Sequence, residues 1–255
     1  YLSPVVIDQL IHNPDRLKLG GERKELSLFF SDLEGFTKIS EGLEPEDLTQ
    51  LLNEYLTAMT DIILEEEGTV DKFEGDAIIA FWNAPLDIDN HAEKAVRTAL
   101  RCQEKLKELR PYFLEQYGKN LFMRIGINTG VAIVGNIGSS SRFDYSVLGD
   151  AVNLAARLEG ANKYYGIYNM ISASTFEQLS EDFHCRELGR LRVVGRYEPV
   201  TVYEPLSYNN VSEGHKDFSR GLELFYKGDF KGAYEAFKCK EHDDPAARAY
   251  CIKCK

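Results

Sequence analysis

The amino-acid order predicts an α+β fold: a mixed, mainly antiparallel sheet flanked by helices, followed by a small helical tail. Short apolar runs of strand length, several joined by tight turns, alternate with longer segments whose apolar residues recur every three or four positions. Beyond residue 210 the strand-like runs stop and only helical spacing continues. Hydrophobic residues make up 44% of the 255, enough for one full domain with a buried core and an appendage.

The elements follow in order. Residues 1–21 form a connecting segment in which a short helix, interrupted by Pro4 and Pro14, leads to Gly20-Gly21. The main domain spans 22–207 and opens with an apolar strand over 25–31 that ends at Asp32. Gly35-Phe36-Thr37 then starts a helical stretch. Pro45 suits the first turn of the next helix, in which Leu48, Leu51, Leu52, Tyr55, Leu56, Met59, Ile62 and Ile63 mark one buried face. A hairpin follows, with strands over 70–73 and 77–82 around Glu74-Gly75. A long helix over 90–116 is expected to bend or end at Pro111. Residues 122–128 and 131–137 read as two strands around a Thr129-Gly130 turn, and 138–149 as a glycine- and serine-rich loop. A helix over 151–164 and short strands near 170–172, 186–193 and 201–203 complete the domain. The tail, 208–255, reads as a helix–turn–helix unit of tetratricopeptide type with part of a capping helix. One such unit cannot bury its own face, so it needs the main domain or a protein partner to pack against.

Forty-one acidic residues against thirty basic ones give a net charge of −11, which argues against a duplex nucleic-acid binder with its basic face. A nucleotide remains compatible, because metal ions neutralise phosphates locally. No apolar run approaches the roughly 18 residues that span a bilayer, and no signal peptide is recognisable. The start at Tyr1 suggests a fragment, with any sensor or membrane domain upstream of it. The expected location is the cytoplasm, including the cytoplasmic part of a membrane-anchored protein. Cys239, His242, Cys251 and Cys254 are zinc-ligand types, but their helix-like spacing favours packing.

Asp32 lies past a strand end and Asp76 past a tight turn, so both carboxylates project from a sheet edge. Two carboxylates from different elements suit Mg²⁺ or Mn²⁺ on a triphosphate. Free N–H groups at the Gly35-Phe36-Thr37 helix start suit phosphate oxygens. Asn153 and Arg157, four apart on a helix, share one face, and a guanidinium stabilises charge building on phosphate. Each feature alone is equally an ordinary turn, helix start or solvated face.

Together they resemble the class III adenylate/guanylate cyclases. Phe30-Ser31-Asp32-Leu33-Glu34-Gly35-Phe36-Thr37, Val70-Asp71-Lys72-Phe73-Glu74-Gly75-Asp76, and Tyr145 through Gly149-Asp150-Ala151-Val152-Asn153 to Arg157 are similar to that family's three motifs, in order and spacing. The resemblance implies a ferredoxin-like, palm-type core. It also implies two divalent cations per site, held by Asp32 and Asp76 with help from the Leu33 carbonyl. Lys72 would read the base with Ser146 as its counterpart across the dimer, Asn153 would orient the ribose, and Arg157 would stabilise the α-phosphate. A homodimer with two shared sites follows, metal and lysine from one subunit, Asn153 and Arg157 from the other.

Lys72 only donates hydrogen bonds, whereas the Ser146 hydroxyl donates or accepts. That pair favours adenine, and therefore ATP, although Lys72 can also donate to guanine O6. Ser146 replaces the Asp or Thr common in adenylate-forming relatives. Val194 stands where relatives often carry a phosphate-binding lysine, so Arg192 or Arg196 becomes the substitute. The rival readings are a guanylate cyclase and a catalytically silent nucleotide-binding regulator.

Overall fold

The computed structural model describes residues 19–192, 198–208 and 216–255. The expected helix before Gly20, and Val194 and Arg196, lie outside them. Strand β1 (Gly20–Leu33) leads into helices α1 (Phe36–Glu41) and α2 (Pro45–Glu65). The hairpin β2 (Thr69–Glu74) and β3 (Ala77–Trp82) precedes α3 (His91–Tyr117). Strands β4 (Met123–Ser139) and β5 (Arg142–Leu148) lead to α4 (Asp150–Tyr165). Then come β6 (Asn169–Ser172), the single turn α5 (Ala173–Phe176), β7 (Phe183–Leu191) and β8 (Val200–Tyr208). The tail supplies α6 (Lys216–Tyr226), α7 (Phe230–Lys238) and α8 (Pro245–Lys253).

The strands form one sheet in the order β2-β3-β1-β4-β6-β8-β7, with β5 pairing β4. Only β4–β6 is parallel among these pairs; the others are antiparallel. The mixed, mainly antiparallel sheet is therefore as expected. Side-chain alternation along β4 explains the layers. Met123, Ile125 and Ile127 join Phe29, Trp82 and the buried faces of α2 and α3 in one core. Residues 124, 126, 128 and 130 face the other way, under α4. A Cβ on Gly126 would lie 2.1 Å from the Glu159 nitrogen, Asn128 Nδ2 donates to the Ala151 carbonyl at 2.9 Å, and Gly130 sits against Ala151. Each fully buried Leu or Phe in these layers contributes about 1.5–3 kcal/mol.

Three local expectations change. Thr129-Gly130 is not a turn: β4 runs through it, paired with β1 from Gly20↔Asn136 to Leu33↔Met123. Gly130 is small because α4 lies on it, not because the chain reverses there. The segment 142–148 is not a loop but β5, hairpin-paired from Ser139↔Arg142 to Ile133↔Leu148. Pro111 does not end α3, which continues to Tyr117 with Leu106 and Phe113 buried on either side of it.

The tail packs on the domain. Phe218, Leu222, Phe237, Ala247 and Tyr250 share a core with Leu154, Leu158 and Tyr165 of α4 and with Leu188 of β7. Tyr250 donates to the Leu188 carbonyl at 2.7 Å, and Arg186 donates to Glu204 at 2.6 Å and to Asp244 Oδ1 at 3.0 Å. Cys251 is buried in this packing, while the Cys239 thiol is exposed and donates to the Ala236 carbonyl. Among the described residues, no group of three or more His, Cys, Asp or Glu is placed to hold a metal. No described helix is long and apolar enough to cross a membrane.

Candidate active site

Asp32 stands at the end of β1 and Asp76 follows the β2–β3 turn, where Gly75 takes the left-handed φ of 67°. β3 pairs directly with β1, so the two carboxyls meet at one sheet edge. Asp76 is 7% exposed, and its Oδ2 accepts from the Leu33 N–H at 2.8 Å. Burial, and beyond the relief from that N–H the adjacent Asp32, push the Asp76 carboxyl up to about 6. Two crowded carboxylates in this state are matched by a cation. Because the pair lies outside any larger ligand cluster, further ligands would be backbone or substrate oxygens, as Mg²⁺ at phosphate sites prefers. The residues thus fit the expected metals.

Arg124, unnoticed in the sequence, completes this edge. Its Nη2 donates to Asp32 Oδ2 at 3.1 Å and its Nε to Glu159 Oε1 at 3.0 Å. It projects from the α4 side of β4, and Gly126 beside it lets α4 approach closely enough for Glu159 to reach it. The available signal was a lone arginine within the apolar run from Met123 to Ile127.

Asn153 is exposed on α4. Arg157 is half-buried, and its Nη1 is buried without a hydrogen-bond partner. Glu159 points to Asp32 of the same chain through Arg124. Arg157, two residues earlier, points about 160° away around the helix. The chain therefore does not bring its own Arg157 to its own Asp32.

Lys72 and Ser146 do come together. Ser146 Oγ donates to Asp71 Oδ2 at 2.8 Å, and Lys72 Nζ lies 3.8 Å from Asp71 Oδ1. Burial pushes the Asp71 carboxyl up, against the pull of Ser146 and Lys72. Within the chain the two candidates therefore meet at Asp71, β5 lying within reach of β2. Gly35 caps α1 with φ 69°, followed by the half-buried Phe36, which packs on the core, and the exposed Thr37. Arg192 is exposed, while Arg190 stacks on Tyr226 of the tail, 5.0 Å from the ring centre.

This arrangement defines a class before any particular relative. The chain belongs to the adenylate and guanylate cyclase catalytic domain family, whose model matches residues 21–204. It is 37% identical over 182 residues to adenylate cyclase 1 of Rhizobium meliloti, covering 71% of this chain and 27% of that protein. Among solved structures it resembles the adenylyl cyclase CyaB from P. aeruginosa, at 38% identity and TM-score 0.70, covering 76% of this chain and all of that one. It also resembles the guanylyl cyclase Cya2, at 34% identity and TM-score 0.68, covering 78% and 98%. The chain spans about a quarter to a third of the length of the first curated relatives that it matches.

Proposed function

We propose that this domain is an adenylate cyclase, converting ATP to 3′,5′-cyclic AMP and pyrophosphate at the interface of a homodimer. The observation that carries the shared site is the opposed direction of Glu159 and Arg157 on α4. It supports a division in which one subunit supplies Asp32 and Asp76, and the other supplies Lys72, Ser146, Asn153 and Arg157. This differs from the expectation that lysine accompanies the metal ligands, and it follows the link of Lys72 and Ser146 through Asp71 within one chain.

Two divalent cations, Mg²⁺ or Mn²⁺, held by Asp32, Asp76 and the Leu33 carbonyl, would neutralise the triphosphate and lower the pKa of the ribose 3′-hydroxyl. Asn153 orients the ribose. Arg157 offers its unpaired N–H to the α-phosphate oxygens, where charge builds as the 3′-oxygen bonds to phosphorus and the bond to pyrophosphate breaks. The Gly35-Phe36-Thr37 backbone faces the phosphates, with Arg196 as a further phosphate contact. Lys72 donates to adenine N1. Catalysis rests on alignment and charge stabilisation rather than a side-chain base. The guanylate reading is opposed by Lys72 and the silent-regulator reading by the presence of Asp32, Asp76, Asn153 and Arg157 together. The relatives extend well beyond the matched region, which leaves room for the upstream sensor or membrane domain we propose, with this domain in the cytoplasm. Exposed Tyr226 and Phe230 give the tail a surface for a protein partner.

The test is product formation from ATP and GTP with Mg²⁺ and Mn²⁺ at several protein concentrations, where cyclic AMP with specific activity rising with concentration is expected. Asp76→Ala and Arg157→Ala subunits, each inactive alone, should regain activity when mixed, since the heterodimer keeps one intact site. Confirmed heterodimers without recovery would refute the shared site.

A further inference from the structure

Serine is an ambiguous reader of a base edge, because one hydroxyl both donates and accepts. In this chain the ambiguity is removed by Asp71. Its Oδ2 accepts the hydrogen bond of the Ser146 hydroxyl at 2.8 Å, and its side chain is only 3% exposed. Oδ1 is buried without a hydrogen-bond partner and lies 3.8 Å from the Lys72 ammonium, a charge that favours the ionised, acceptor-only carboxylate. The backbone builds this contact deliberately. Val70 pairs with Ala80 and Lys72 with Ile79, so Asp71 is the extra residue of a β-bulge. In a regular strand neighbouring side chains leave opposite faces; a bulge re-aims one of them. Here Asp71 turns towards β5, and Lys72 keeps 43% of its side chain exposed at the rim. Ser146 is 6% exposed beside it.

With its only proton committed to Asp71, Ser146 offers the base lone pairs alone. The reader is then one donor, Lys72, beside one acceptor, Ser146. Adenine presents the complement, an acceptor at N1 and a donor at the 6-amino group. Guanine presents the reverse, a donor at N1 and an acceptor at O6, so both contacts become repulsive in the adenine pose, and a guanine shifted to bring O6 to Lys72 gives up the Ser146 contact. We propose that Asp71 is a positioning residue for base selection, acting through the Ser146 hydroxyl to make this domain prefer ATP over GTP. The inference rests on the cyclase reading above, in which Lys72 and Ser146 meet the base.

The experiment compares kcat/KM for ATP and GTP in the wild type, Asp71→Ala, Ser146→Ala and the double variant. Calorimetric binding of non-cyclisable ATP and GTP analogues accompanies it, and Asp71→Leu is used should the alanine variant not fold. Freeing the hydroxyl to donate should lower the ATP:GTP selectivity about tenfold, chiefly by admitting GTP. In the Ser146→Ala background the same change should leave the ratio unaltered, an outcome that general loosening of the strand would not give. Unchanged selectivity in Asp71→Ala, an equal loss in both backgrounds, or a wild type that prefers GTP would overturn the role of Asp71. A wild type that binds the ATP analogue selectively yet yields no cyclic nucleotide would instead sink the cyclase reading, and the binding ratios would still decide the role of Asp71.

Discussion

A carboxyl buried beside a second carboxyl is costly whenever both are ionised. Asp76, pushed up to about 6 from an ordinary value near 4, carries a charge at neutral pH at a cost of about 2–3 kcal/mol. Asp76→Asn keeps an oxygen for the Leu33 N–H and removes that charge. We expect the variant to lose turnover and Mn²⁺ binding while its metal-free form gains about 1–2 kcal/mol, read from urea midpoints at pH 7; a variant no more stable than the wild type would contradict the crowding. At this scale the sequence revealed residue types better than relations. Asp32, Asp76, Lys72 and Ser146 were recognisable within their motifs. The guanidinium against Asp32 comes from a residue 92 positions away, and Asp71, though visible in its motif, shows a role only once the bulge turns it to Ser146.

Secondary-structure elements hold the site through close approaches. Helix α4 rests on β4 at Gly126, where a Cβ would fall 2.1 Å from the Glu159 nitrogen and 2.4 Å from the Ala155 carbonyl oxygen. Both are backbone atoms, so the helix itself must move. Gly126→Ala should cost about 2–3 kcal/mol in chemical denaturation and reduce kcat more than tenfold, because α4 carries Asn153 and Arg157. At the start of α3, His91 shares a hydrogen bond of 2.8 Å with Ser27, and burial holds its pKa below the ordinary value despite Glu25. A depressed histidine contributes fully above its unfolded pKa and loses that contribution as pH falls through the folded one. The His91 contribution should therefore be lost between pH 7 and 5 while protonation of Asp76 adds stability over the same range, so the His91 part is read as the difference in pH slope between the wild type and His91→Gln in urea titrations. Elements with a strong period or a marked turn, such as α2 and the β2–β3 hairpin, were legible in sequence. Gly130 misled because glycine marks both a reversal and a helix contact, and residues 142–148 do alternate, Phe143, Tyr145 and Val147 against Asp144 and Ser146, but the glycines and serines just before them read as a loop.

For the whole molecule, the tail is part of the domain's core rather than a loose extension. Removing residues 209–255 uncovers Leu158, Tyr165 and Leu188 and leaves Arg186 with Glu204 but without Asp244. The shortened protein should melt several degrees lower and bind a hydrophobic dye, as measured by calorimetry and fluorescence; an unchanged melting point would mean that this packing contributes little. The sequence suggested that a lone helical unit must lean on something, but the surface it chose depends on long-range complementarity that spacing does not encode. That surface includes α4, whose first turns carry the proposed substrate residues Asn153 and Arg157 and whose last turn, at Tyr165, sits under Tyr250. A chimera joined after β8 would thus inherit an α4 with one face left uncovered. Anyone exchanging modules in this protein must move the seam beyond Lys253, or transplant Tyr165, Arg186 and Leu188 along with the new cassette.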